Sequence, residues 1–72
     1  MKKLSLGERI RQRRLELNNM SLAKLSEKTG LSIGHLSEIE NSGRKNLQSS
    51  TLKKLAHGLN LDVAELLDHY GD

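Results

Sequence analysis

The 72-residue sequence has no cysteine, proline, tryptophan or phenylalanine, and Tyr70 is its single aromatic residue. The absence of cysteine excludes a disulfide scaffold and a zinc site built on thiolates. No stretch approaches the roughly 20 apolar residues that a membrane-spanning helix requires, and the basic residues near the start are not followed by the apolar run of a signal peptide. The sequence therefore predicts a cytoplasmic protein with no membrane segment.

Leucine dominates what is present and supplies 15 of the 25 hydrophobic residues. A composition that is rich in leucine, poor in β-branched residues and free of proline favours helices over a β-sandwich or barrel. A chain of this length allows one small domain. We expect an all-α domain over 1–72 with its core in 5–70.

The charged residues are unevenly distributed along the chain. The first 14 residues carry six basic side chains and one acidic one, and residues 43–59 carry four basic side chains and none that is acidic. Residues 60–72 carry four acidic side chains and none that is basic. This asymmetry is typical of a protein that binds a polyanion on one face, although a solvated surface with scattered lysines has the same composition.

Capping residues divide the chain into five short helices. Ser5 and Glu8 form a capping box before the first helix, and a second box at 62–65 precedes the last. Ser21 and Ser32 are expected to cap the second and third helices, and the fourth begins at Ser49 or Ser50. Helices this short do not persist alone in water, so they must share one core.

The segment 22–41 has the pattern of a helix-turn-helix unit. Gly30 provides the positive φ that ends the first of its helices, and Ser26 is small enough for the two helices to cross closely. The residues expected to fill the wedge between them are Leu25, Leu31, Leu36 and Ile39. In such a unit the second helix enters the major groove of DNA by its N-terminal end.

The chain resembles the Cro/lambda-repressor-like helix-turn-helix family, also called the XRE family. The matching segments are LGERIR at 6–11, LSEKTGLS at 25–32, LSEIE at 36–40, TLKKLA at 51–56 and LDVAELL at 61–67. They follow the family's order and spacing over nearly the whole chain. The resemblance implies a compact five-helix lambda-repressor-like domain whose helices 2 and 3 form the helix-turn-helix. It also implies binding to double-stranded operator DNA as a two-fold homodimer.

The resemblance also assigns candidate DNA-binding residues. Leu22 stands where many members have a glutamine that contacts DNA, and the third helix lacks the arginine, lysine and glutamine that many phage repressors use there. The candidates on and beside helices 2 and 3 are Ser21, Leu22, Ser32, Ile33, Gly34, His35, Ser37, Glu38 and Asn41.

Three of these candidates have alternative interpretations. Ile33 either touches a thymine methyl group, packs against Leu22 or makes a protein contact. Glu38 either accepts a hydrogen bond from a cytosine amino group or is simply solvated, and His35 either contacts a base edge or phosphate or is an exposed polar residue.

Phosphate contacts are expected from the loop after the third helix and from the first helix. Arg44, Lys45 and Asn46 would hold phosphates beside the groove, although a solvated basic loop is the simpler interpretation of such a run. Arg9 is the best candidate on the first helix, because helices of this family touch the DNA backbone there only near their start.

The resemblance further implies a structural ion pair and a dimer seam. Arg14 and Glu40 match the family's arginine and glutamate that join helix 1 to helix 3, and the alternative is two exposed charges that never meet. The dimer-interface candidates on the last helix are Val63, Leu66, Leu67 and Tyr70. The sequence leaves open which of them close the core and which form the seam.

The predicted function is a DNA-binding transcriptional regulator, a repressor, that reads its operator with helix 3. The alternative is the same fold used as an antitoxin-like or antirepressor module that binds a protein partner. An enzyme is not expected, because the sequence contains no glycine-rich phosphate loop and no nucleophile–histidine–acid set. No cofactor is expected, and the three histidines lack the spacing of metal ligands.

Overall fold

The computed structural model describes residues 5–41 and 47–67, and these ranges contain five α-helices and no strand. The helices are α1 (Leu6–Glu16), α2 (Leu22–Thr29), α3 (Ile33–Asn41), α4 (Ser49–Gly58) and α5 (Val63–Leu67). The predicted all-α, five-helix architecture is confirmed. Both ends of the predicted domain, 1–4 and 68–72, lie outside the described residues. No helix in the described ranges is long and apolar enough to cross a membrane.

Local hydrogen bonds set the start of the first three helices. The Ser5 hydroxyl oxygen accepts from the Glu8 N–H at 3.2 Å, and the Glu8 carboxylate accepts from the Ser5 N–H at 2.9 Å, which is the predicted capping box. The hydroxyls of Ser21 and Ser32 each accept from the amide three residues later, both at 3.0 Å. Caps of this kind stabilise a helix by about 1 kcal/mol each. The α4 helix differs, because its cap residue Gln48 makes no side-chain capping bond.

Two α2 side chains hold the turn between α2 and α3. Gly30 ends α2 with a φ of 77°, as predicted. The Ser26 hydroxyl donates to the Leu31 carbonyl at 2.6 Å, so it does more than allow a close crossing. The Thr29 hydroxyl donates to the Leu25 carbonyl at 2.8 Å and accepts from the Leu31 N–H at 3.2 Å. These bonds satisfy the turn's backbone groups and fix the angle between the helices.

Asparagines in left-handed conformation form the other short connections. Asn18 and Asn19, with φ of 62° and 54°, join α1 to α2, and Asn60, with φ of 58°, joins α4 to α5. Asparagine tolerates this conformation better than most residues with a side chain, because its short side-chain amide can form hydrogen bonds with the nearby backbone.

The core lies between two packed layers of helices. The α1 helix packs against α3 and α5, and α2 packs against α3 and α4. The fully buried large side chains are Leu6, Ile10, Leu25, Leu36, Ile39, Leu55, Leu59 and Leu66. The α3 helix therefore buries one face against both α1 and α2 and leaves the other exposed.

Arg14 connects three elements at the centre of this arrangement. Its Nε and Nη2 donate to the two carboxylate oxygens of Glu40 on α3, at 2.9 Å and 3.1 Å. Its Nη1 donates to the carbonyl of Met20, just before α2, at 2.6 Å. The side chains of Arg14 and Glu40 are 11% and 4% exposed. The structure thus places the two residues in a buried, two-pronged ion pair of the kind that orients groups most strictly.

Gly7 allows α1 and α3 to approach closely. A Cβ atom built on Gly7 would lie 2.5 Å from the Ile39 carbonyl oxygen and 2.6 Å from that of Glu40. Because both obstacles are backbone atoms, no side-chain movement relieves the overlap. The close contact brings the end of α3 within reach of Arg14.

Arg14→Ala is expected to reduce the free energy of unfolding by about 3–5 kcal/mol, because it leaves the Glu40 carboxylate buried without its partner. The free energy of unfolding of a domain of this size is roughly 4–11 kcal/mol, so the variant should lie much closer to unfolding at room temperature than the parent. Urea unfolding followed by circular dichroism measures the change. Arg11→Ala, at an exposed position on the same helix, is the control and should cost less than about 0.5 kcal/mol. Equal midpoints for the Arg14 variant and the parent would contradict the structural role.

Gly7→Ala and Gly34→Ala should change stability in opposite directions. Both residues are helical, so alanine gains up to about 1 kcal/mol of helix preference at either position. At Gly7 the overlap with the α3 backbone outweighs this gain, and we expect a net loss of about 1–3 kcal/mol. A Cβ at Gly34 meets nothing within 4 Å, so only the gain remains. Thermal unfolding of the two variants measures the difference, and a shift of the same sign in both would contradict the close contact.

Candidate nucleic-acid interface

The free face of α3 forms a continuous exposed stripe. Ile33, Gly34, Glu38 and Asn41 are exposed, while His35 and Ser37 are partly buried. Gly34, Glu38 and Asn41 lie on the side of the helix away from Leu36 and Ile39, and Ile33 lies at the edge of that side, about 60° from Leu36. The nine residues of α3 span about 13 Å along the helix axis. An α-helix with its side chains is about 10–12 Å in diameter and so fits the major groove of B-DNA, which is about 12 Å wide. The α3 candidates are therefore brought together on one surface.

Hydrogen bonds within α3 already hold several of its polar side chains. The Asn41 amide nitrogen donates to the Ser37 carbonyl at 2.8 Å and approaches the Ser37 hydroxyl at 3.4 Å. The Ser32 hydroxyl oxygen accepts from the His35 N–H as the helix cap. The Asn41 amide and the Ser32 hydroxyl are thus held against the helix.

The start of α3 presents an apolar side chain beside open space. Ile33 is the first residue of the helix and is 49% exposed. Gly34 follows it, and a Cβ there would touch nothing within 4 Å. About half of the Ile33 surface is thus covered by the protein, and the other half is open to a ligand.

The start of α2 contributes Ser21 and Leu22. Ser21 is exposed, and its hydroxyl accepts the N–H of Lys24 at the helix start. Leu22 is partly buried and packs against the core. Part of the Leu22 side chain therefore supports the domain.

Arg9 is not placed as the sequence predicted. Its residue surface is 9% exposed, and within the described residues its Nε has no hydrogen-bond partner. Arg9 shares a side of α1 with Arg13, which donates from Nε to the Leu59 carbonyl at 3.0 Å and from Nη2 to the Asn60 carbonyl at 3.4 Å. This side lies about 200° around the helix from Gly7, which touches α3. Because only 9% of its surface is exposed, Arg9 offers little to a phosphate, and we correct its assignment as a phosphate contact.

The dimer candidates on α5 separate into two classes. Leu66 has no exposed surface and belongs to the core, which decides for this residue the choice between core and seam that the sequence leaves open. Val63 and Leu67, one turn apart, are partly buried and pack on the edge of the core. Tyr70 lies outside the described residues.

The basic loop candidates Arg44, Lys45 and Asn46 also lie outside the described residues. The described ranges hold eight basic and seven acidic side chains, so four of the chain's 12 lysines and arginines belong to the remaining segments. The exposed basic residues of the described part are Arg11, Lys24, Lys28, Lys53 and Lys54. None of them lies on α3, so the stripe itself carries little of the positive charge.

An open concavity of about 690 Å³ lies where α1, α2 and α4 end. It is lined by Glu16, Leu17, Asn18, Met20, Lys28, His57, Gly58 and Asn60. It contains none of the predicted site residues. Within the described ranges no three histidine or acidic side chains are grouped so that they could hold a metal ion.

Comparisons with known proteins agree with this geometry. The sequence model of the helix-turn-helix family matches residues 10–66. The control protein C.BamHI of Bacillus amyloliquefaciens is 33% identical over 66 residues, which is 92% of this chain and 80% of that protein.

Two solved structures share the fold closely. SinR, a master regulator for biofilm formation from Bacillus subtilis solved in complex with DNA, is 36% identical with a TM-score of 0.76, over 88% of this chain and 98% of that chain. SinR has also been solved in a complex with the SinI protein. The DNA-binding domain of the P22 c2 repressor is 31% identical with a TM-score of 0.80, over 93% of this chain and 86% of that domain. The resemblance drawn from the sequence motifs is confirmed, and the chain belongs to the helix-turn-helix family.

Proposed function

We propose that this DNA-binding transcriptional regulator represses by occupying operator DNA as a homodimer, with the exposed stripe of α3 in the major groove. The observation that carries the proposal is the rigid attachment of α3 to α1 through Arg14 and Glu40. A reading helix that is held by its buried side presents its exposed side chains in one fixed arrangement, as recognition of base edges requires.

The phosphate contacts come from outside the α3 stripe in this proposal. The exposed Ser21 at the start of α2 and the basic residues Arg44 and Lys45 are the candidates. A helix start offers free N–H groups and a positive dipole to a phosphate, and arginine and lysine neutralise its charge. The phosphate contacts position the protein, while α3 determines which sequence is bound.

The homodimer places two copies of α3 on one side of the duplex. Val63 and Leu67 form the seam, because both are partly exposed apolar side chains on one side of α5. Two-fold symmetry then requires a pseudo-palindromic operator with half-sites about 34–36 Å apart, one turn of B-DNA.

Binding to duplex DNA should weaken steeply as salt is added. Fluorescence anisotropy with a duplex selected from a random library measures the slope of log K against log salt. Arg44→Ala and Lys45→Ala should each reduce the slope by about one for every phosphate that is no longer neutralised, and so by about two in a dimer. The matched control is Lys28→Ala, which removes an exposed charge at the concavity and should leave the slope unchanged.

The same titration separates DNA binding from the alternative of a protein-interaction module. The SinR–SinI complex shows that the domain's relative SinR also engages a protein. A folded chain that retains no duplex at low salt would contradict the proposed function and favour the protein-partner alternative.

The chain should sediment at twice its own mass at micromolar concentration. Leu67→Lys should raise the dimer dissociation constant at least tenfold, because it places a charge in the apolar seam. Ala64→Lys, at an exposed position of the same helix, is the control and should leave it unchanged. Sedimentation equilibrium measures both, with circular dichroism to verify folding. A Leu67 variant that remains folded and dimeric would exclude this seam.

A further inference from the structure

Ile33 is an exposed apolar residue in a position that general surface composition does not explain. It and Leu15, which lies on α1, are the exposed large hydrophobic residues of the described ranges, at 49% and 43%. A single exposed apolar side chain is ordinary and needs no function. Ile33 differs from an ordinary exposed apolar residue because it is the first residue of α3. This is the end of the helix that enters the groove in the helix-turn-helix arrangement.

The backbone beside Ile33 is open to a close approach. Gly34 has no side chain, and the space where its Cβ would lie is empty to 4 Å. On the other side, the Ser32 hydroxyl oxygen is held against the helix by the His35 N–H. Neither neighbour therefore blocks the approach of a base edge to the exposed half of Ile33.

Hydrogen-bond reading by α3 is weak at this end. The strongest side-chain readers of bases are arginine or lysine on guanine and asparagine or glutamine on adenine. The α3 sequence has no arginine, lysine or glutamine. Its one amide belongs to Asn41, which is bonded to Ser37 and lies about 12 Å along the axis from Ile33. At Ile33 itself the chemistry available for discrimination is apolar contact.

One apolar group is available on the base edges of the major groove. It is the C5-methyl group of thymine, and 5-methylcytosine carries the same group at the same position. We infer that Ile33 reads the C5-methyl group of one pyrimidine in each half-site. The inference rests on the proposed function and makes Ile33 the specificity-determining residue at that base pair.

Replacing each thymine of the selected operator in turn with deoxyuridine tests the inference, because deoxyuridine lacks the methyl group alone. Burying one methyl group is worth about a fourfold change in affinity, so substitution in both half-sites should weaken binding roughly 15-fold. Ile33→Ala should bind the parent operator more weakly and show no further loss with deoxyuridine at that position. Leu15→Ala is the matched control and should retain the full deoxyuridine effect.

A second set of duplexes distinguishes the two sources of the methyl group. The sensitive base pair is changed to cytosine–guanine, with the cytosine either plain or methylated at C5. Tighter binding to the methylated duplex by the parent, and not by Ile33→Ala, shows that the methyl group is read on either base. If deoxyuridine weakens binding only when Ile33 is present, and methylation of cytosine does not tighten binding, then Ile33 reads the methyl group on thymine alone.

Other outcomes overturn the inference. An equal deoxyuridine penalty in the parent and in Ile33→Ala shows that another group reads the methyl, and the absence of any methyl effect leaves Ile33 to a protein contact. In both cases the operator is still bound, so the proposed function stands. Loss of all duplex binding by the folded parent would overturn the proposed function together with this inference.

Since Ile33 is exposed, its alanine variant should keep the melting temperature of the parent.

Discussion

The guanidinium of Arg14 is the interaction on which the position of α3 depends. Its Nε and Nη2 hold the Glu40 carboxylate at 2.9 Å and 3.1 Å, and its Nη1 holds the Met20 carbonyl at 2.6 Å. One side chain therefore ties α1 to α3 and to the segment that leads into α2. Because the ion pair is almost completely buried, loss of either partner would leave an unpaired charge in the core. Gly7 makes this geometry possible by letting the two helix backbones come close.

Because α3 carries few charged groups, different parts of the chain must attract DNA and distinguish its sequences. The described part of the chain is almost neutral, and α3 contains no lysine or arginine. Long-range attraction must therefore come from the basic residues elsewhere, which neutralise phosphates on any sequence. In the proposed complex, discrimination between sequences falls to the shape and apolar contacts of the exposed stripe of α3.

Local chemistry explains which parts of the structure the sequence predicts. The capping serines Ser5, Ser21 and Ser32 bond to amides three residues away, so the chain order alone reveals them. The expectation for Arg9 is wrong because its burial depends on how the helices pack together, and the same packing decides that Leu66 closes the core, a choice that the sequence leaves open. No sequence signal indicates that Arg13 bonds carbonyls 46 and 47 residues away. The role of Gly7 is invisible in the sequence for the same reason, since its contacts are backbone atoms of another helix.

A nuclear magnetic resonance titration of the ¹⁵N-labelled chain with its operator tests most directly whether the stripe of α3 is the DNA surface. The amides of Ile33, Gly34 and Glu38 should show the largest shift changes, together with that of Ser21 at the start of α2. The amides that line the concavity at the helix ends, including Lys28, His57 and Asn60, should stay in place. Large changes at the concavity with an unchanged α3 would contradict the assignment of the reading surface.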